Sequence, residues 1–109
     1  MPTNYILYPV NNLGTSPVAI RASVAASTQV LCLSLTMANV TAATVNGRAY
    51  VTRSGVDYDL VPLTAIPSGG SLVAIGESQK LVLNTGDVLN VVGDTATSLD
   101  CLLSALEVT

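Results

Sequence analysis

Between Thr28 and Met37 the chain reads TQVLCLSLTM, in which Leu31, Leu33, Leu35 and Met37 alternate with Cys32, Ser34 and Thr36. The period is two, not 3.6, so the segment reads as a strand with those four large apolar side chains expected on one face. Helix competes only weakly upstream. RASVAAS (21–27) and TMANVTAATV (36–45) are rich in alanine, the best helix former, but Val, Thr and Ser interrupt any amphipathic stripe. The C-terminal LDCLLSALEV is more ambiguous, because Leu99, Leu102, Leu103 and Leu106 fall at i, i+3, i+4 and i+7. As a strand it would set Leu99, Cys101, Leu103 and Ala105 on one face and Leu102, Leu106 and Val108 on the other.

The breaks between runs are chemically explicit. NNLGTSP (11–17) carries Asn, Gly and Pro, Arg53-Ser54-Gly55 offers a tight turn, and IPSGGS (66–71) pairs Pro with two glycines. In LNTGDV, Asn84 and Gly86 are suited to the positive φ of a tight hairpin whose arms begin at Leu83 and Val88. Strands are expected near Asn4–Pro9, Val18–Ala22, Thr28–Met37, Thr44–Arg53, Asp57–Leu63, Ser71–Ile75, Lys80–Leu83, Val88–Val92 and Leu99–Val108. Short strands at this spacing predict an all-β, antiparallel sandwich of jelly-roll type. A chain of 109 residues is one domain, with residues 1–27 as an N-terminal arm or edge strands and 28–109 as the sandwich core. Pro2 and Pro9 fit an edge strand or an extended arm better than a central strand.

Composition narrows the function classes. Half the residues are hydrophobic, yet Phe and Trp are absent and four Tyr are the only aromatics, so the core is expected to be Val, Leu, Ile and Ala. Only 10% of residues are charged, against a typical ~25%. Mean hydropathy is +0.57, an excess for which a subunit interface is the usual outlet. No run reaches the ~18 apolar residues of a membrane span, and no signal peptide opens the chain, so a soluble, non-exported protein is expected. Four scattered cations, Arg21, Arg48, Arg53 and Lys80, make no basic patch for nucleic acid. Cys32 and Cys101 sit inside apolar runs and read as buried small hydrophobes; they cannot make a metal site alone, and a disulfide between them is geometrically possible but not indicated.

No catalytic set is visible. The chain has no His, the usual base for a Ser or Cys nucleophile, and a Ser–Lys pair would depend on Lys80 beside Ser78 and Gln79. SGG (68–70) lacks the following helix and lysine of a phosphate cradle. Asp57 and Asp59 share a strand face and could in principle hold Ca²⁺, but a solvated strand edge is the simpler reading. Asp87 and Asp94 each follow a glycine, where a carboxylate closes a turn by accepting backbone N–H bonds. Asn39-Val40-Thr41 matches a glycosylation acceptor, and without a secretory signal it is read as chance. No cofactor or metal is expected.

From about residue 35 onward the chain resembles a diffuse group of small tailed-phage virion proteins. The resemblance rests on Ala38-Asn39 at a strand end, then Ile66, Pro67 and Gly69, then Leu81, Leu83, Gly86 and Asp87, then Leu99, Asp100, Ser104 and Glu107. In such proteins the last segment is a strand, which overrides the helical spacing of LDCLLSALEV. The resemblance implies a β-sandwich component of a particle assembled in the bacterial cytoplasm. Cement (decoration) proteins of this kind bind the outer surface of the major capsid protein, commonly as homotrimers. Neck, tail and fibre-base proteins are the alternative, and a carbohydrate-binding module is disfavoured by the scarcity of aromatics. The contact residues expected on this reading are Tyr5, Ile6, Leu7 and Tyr8 in the N-terminal segment, and the turns at Pro67 and Asp87.

Overall fold

The computed structural model describes residues 3–76 and 80–109. These residues form nine strands: β1 Thr3–Leu13, β2 Val18–Arg21, β3 Gln29–Asn39, β4 Val45–Arg53, β5 Val56–Ile66, β6 Ser71–Ile75, β7 Leu81–Leu83, β8 Val88–Gly93 and β9 Leu99–Val108. They make two antiparallel sheets, ordered β1-β9-β3-β6, with β7 also on β3, and β2-β8-β4-β5. The architecture is a jelly-roll sandwich, and its logic is a long hairpin rolled up. β4 pairs with β5 at the tip, β3 with β6 and β7, β2 with β8, and β1 with β9; rolling then lays β9 beside β3 and β8 beside β4. The first residues are thus integral: β1 and β2 are edge strands of the two sheets.

The core lies between the sheets. Leu13, Val30, Leu35, Met37, Leu99 and Leu103 come from one side, and Ile20, Val45, Ala49, Ile66, Leu89 and Val91 from the other. It is aliphatic, as the composition demanded. The sheets come close where Gly47 and Gly93 pair across β4 and β8. A Cβ on Gly47 would stand 2.9 Å from Met37 Cε and 3.2 Å from Leu99 Cδ1, so the glycine is required by the close approach.

The C-terminal segment is a strand, with Leu99, Cys101, Leu103 and Ala105 all buried on its core face. Strand β3 departs from the expected alternation. Cys32 pairs with Ala105 and Ser34 with Ser104, so Leu33 is an extra, bulged residue. A bulge resets the side-chain parity. Val30 and Cys32 therefore join Leu35 and Met37 in the core, while Leu31 and Leu33 turn to the outside.

The turns also differ from a run of hairpins. Ser54 and Gly55, with φ of 53° and 77°, close the β4–β5 hairpin as a two-residue type I′ turn. At 67–70, Gly70 N–H donates to Pro67 O at 2.9 Å with Gly69 at φ 72°, a type II pattern, but the chain there crosses from one sheet to the other. LNTGDV is likewise a crossover and not a hairpin: β7 joins β3 and β8 joins β4. There Gly86 takes positive φ and Asn84 does not.

Cys32 and Cys101 are free, fully buried thiols on adjacent strands. Cys32 lies opposite Ala105, four residues from Cys101 along β9, or roughly 13 Å, too far for a disulfide. Burial pushes the Cys32 thiol up to about 11, the nearby Arg21 charge pulling slightly the other way, and pushes Cys101 up to about 12.

Candidate interaction surface

The two outer faces of the sandwich differ in chemistry, although Val88 and Val92, in register with Thr52 and Arg48, and the exposed Leu63 of β5 add apolar side chains to the more polar sheet. On the sheet β2-β8-β4-β5 the outward side chains form a polar network. Arg48 pairs with Asp59 at 2.6 Å and lies 4.0 Å over the Tyr50 ring. Thr52 donates to Asp57 at 2.7 Å and accepts from Asn90 at 3.0 Å. Asp57 and Asp59 do share this face, and both carboxylates are engaged by these neighbours.

The other sheet carries an apolar exterior. Register places Tyr5, Leu106, Leu31 and Val82 in one row across four strands, and Pro9, Leu102, Thr36 and Val73 in a second. Between them lie Leu7, Ser104, Ser34 and the bulged Leu33. Tyr5 is 79% exposed and Leu7 55%, and Leu102, Val73 and Val82 are also exposed. Among the described strand residues of this face the charged side chain is Asp100, at one end, where Oδ1 accepts the Asn12 N–H at 3.0 Å. Over the small side chain of Ser104 the surface dips into a shallow, open hollow of about 370 Å³, lined by Tyr5, Ile6, Leu7, Leu33 and Ala105. A second, larger groove of about 540 Å³ opens at the side where β5 and β7 are edges, lined by Val51, Tyr58, Leu60 and Leu81.

Of the residues expected to make contacts, Tyr5 and Leu7 project from this apolar face. Ile6 and Tyr8 alternate with them and turn inward, half-buried. Tyr8 joins a cluster that sequence reading missed. Its hydroxyl donates to the Glu107 carboxylate, which also accepts Arg21 Nε at 3.0 Å, and the Arg21 guanidinium sits 5.7 Å from the Tyr8 ring. The ion pair is largely buried, and it ties β1, β9 and β2, hence both sheets, at one edge. No local pattern links residues so far apart in the chain.

Pro67 is exposed at its turn. Asp87 is not: only 2% of it is accessible. Its carboxylate accepts the Asn84 N–H at 2.9 Å and a two-pronged bond from Arg53, at 2.8 Å from Nε and 2.5 Å from Nη2. Its backbone O accepts Val24 N–H at 3.1 Å, docking the β2–β3 loop on the turn. The Arg53 bonds and the Asn84 N–H hold this carboxyl below its ordinary range against the opposing effect of burial. Asp94 does the matching work at the other end of β8, accepting Asn46 N–H at 2.9 Å and Asn46 Nδ2 at 2.8 Å, which lowers its pKa too. Each end of β8 is thereby fastened to an end of β4.

Asn39 is buried with its amide donating to Ala43 O at 2.7 Å and Ile66 O at 2.8 Å, so the glycosylation-like triplet is a loop clamp. Lys80 Nζ donates to Gly76 O at 2.9 Å; its sequence neighbours Ser78 and Gln79 lie outside the described residues. No group of three or more His, Cys, Asp or Glu able to hold a metal occurs among the described residues. Compared with protein-family models the chain matches none, and no curated protein matches it significantly.

Proposed function

We propose that this chain is a structural virion component, a capsid cement protein that binds the outer surface of the major capsid protein of a tailed phage. The observation that carries the reading is the apolar exterior of the sheet β1-β9-β3-β6. A contiguous uncharged patch on so small a domain belongs in an assembled interface, not in water. The resemblance motifs support the fold side of the reading: Asn39 clamps a loop, Gly69 and Gly86 take positive φ, and Asp87 fastens a turn. They are joints of a rigid frame, and a rigid frame suits a subunit that stabilises a lattice. Contacts to several capsid subunits at once, each modest, then act multivalently.

The decisive experiment is the copy number of the chain per particle, by quantitative mass spectrometry of purified virions against the major capsid protein. A number comparable with that of the capsid protein is expected. A few to a few tens would move the chain to a neck, tail or fibre-base ring, and its absence would sink the virion reading.

A further inference from the structure

We infer that the apolar exterior of β1-β9-β3-β6 is the docking face for a second copy of this chain, packed face to face about a two-fold axis. The inference rests on reading the chain as an assembly module, but its test does not need a virion.

Three features select a second copy over an unrelated partner. First, knob and hole occur on the same patch. Tyr5 and Leu7 stand proud beside the hollow over Ser104, so a two-fold rotation sets the projecting side chains of each copy over the hollow of the other. Self-complementarity within one patch is the requirement of an isologous contact, and it closes at two copies; a trimer needs two different patches. Second, the described strand residues of this face present one charge, Asp100 at one end, with Lys80 bordering the face just before β7, two residues from Val82. Copies of a chain with net charge −3 can therefore meet here with little like-charge repulsion. Third, the size fits. Four strands at ~4.8 Å spacing and about eight residues of length give a footprint of roughly 500 Å² in projection. Two copies then bury about 1,000 Å² in total, at the lower bound of a specific interface. Such a pair turns both polar faces, with Arg48, Asp59 and Asn90, outward, so the apolar face marks the chain as an assembly module while the polar faces are the ones left to meet capsid subunits.

The test is the molar mass of the full chain by light scattering after gel filtration, at 1–100 μM. A dimer is expected for the native protein. Leu7→Asp sets two carboxylates across the axis and should halve the mass while leaving the circular dichroism spectrum unchanged, since Leu7 is mostly exposed. Ser104→Cys supplies a second readout that does not depend on that variant folding. Both native thiols are buried, so a short bis-maleimide should couple the introduced thiol to its counterpart across sheets ~10 Å apart. A monomer at 100 μM, a trimer, a Leu7→Asp dimer, or no coupling would each overturn the inference. A monomer present at capsid-like copy number would overturn the pair and leave the cement reading standing; a dimer absent from particles would do the reverse.

Discussion

Asp87, read from sequence both as a turn-closing carboxylate and as a contact residue, is held inside the molecule. Its two oxygens are taken by Arg53 and the Asn84 N–H, and it is buried under the docked β2–β3 loop. Asp87→Asn keeps the shape but loses the charged partner, and is expected to cost about 1–3 kcal/mol in denaturant unfolding. Acid should act on the same bonds. Because the folded pKa of Asp87 and Asp94 lies below the ordinary 3.8, the unfolded chain binds protons first as pH falls. Their contribution is thus complete above about pH 5 and is lost as pH drops through the lowered folded values. The melting temperature should be level from pH 7 to 5 and fall below 4, with a shallower acid limb in Asp87→Asn. An acid limb identical in both proteins would contradict this assignment. The sequence disclosed the turn through Gly86-Asp87, but Arg53 as the partner lies 34 positions away and no local signal points to it.

At the scale of elements, the β3 bulge decides which leucines are core and which are surface. Deleting Leu33 removes the extra residue and leaves Val30, Cys32, Leu35 and Met37 on their present side, so ΔLeu33 should fold with modest loss. ΔThr36 can restore the downstream register only by losing the bulge, which exchanges Leu35 for Ser34 in the core. It should therefore be the less stable of the two by about 2 kcal/mol or more in urea unfolding. The reverse order would mean that Leu33 is not the bulged residue. Eight of the nine strands were legible from period and punctuation, because β-branched and aliphatic runs between Gly, Pro and Asn are local signals; β9 was not, since Leu99, Leu102, Leu103 and Leu106 carry helical spacing, and only the resemblance pointed to a strand there. The bulge was not legible, since alternation through Leu31, Leu33, Leu35 and Met37 is unbroken in sequence. It exists because β3 must satisfy β9 on one side and β6 and β7 on the other, and those ladders shift register near the same place.

At the scale of the whole molecule, the first and last strands are neighbours: Thr3 pairs with Val108. The tip hairpin β4–β5 is local, but β1 can find its place only when the rest of the roll is formed. Loop closure over nearly the full chain must precede that pairing, so folding should be slow for a domain this size, in milliseconds to seconds. Stopped-flow far-UV circular dichroism would show it, and microsecond refolding would contradict the rolled-hairpin order. The same roll sorts the exterior. One sheet collects Arg48, Asp59, Thr52 and Asn90, while the other collects Tyr5, Leu7, Leu31, Leu33 and Leu102.

Fold class, strand content, the aliphatic core and the lack of histidine all follow from residue types and near-neighbour spacing, and a reader of the chain has them at once. Pairing is another matter. Which turn is a hairpin and which a crossover, where Arg53 and Glu107 find their partners, and that Leu31 and Leu33 lie outside were decided in three dimensions. The physical reason is that side-chain parity in a strand is set by register with strands far away in sequence, and one extra residue reverses it. The apolar face is the clearest consequence. Its residues come from five strands spread from Tyr5 to Leu106, and only the roll brings them into one surface.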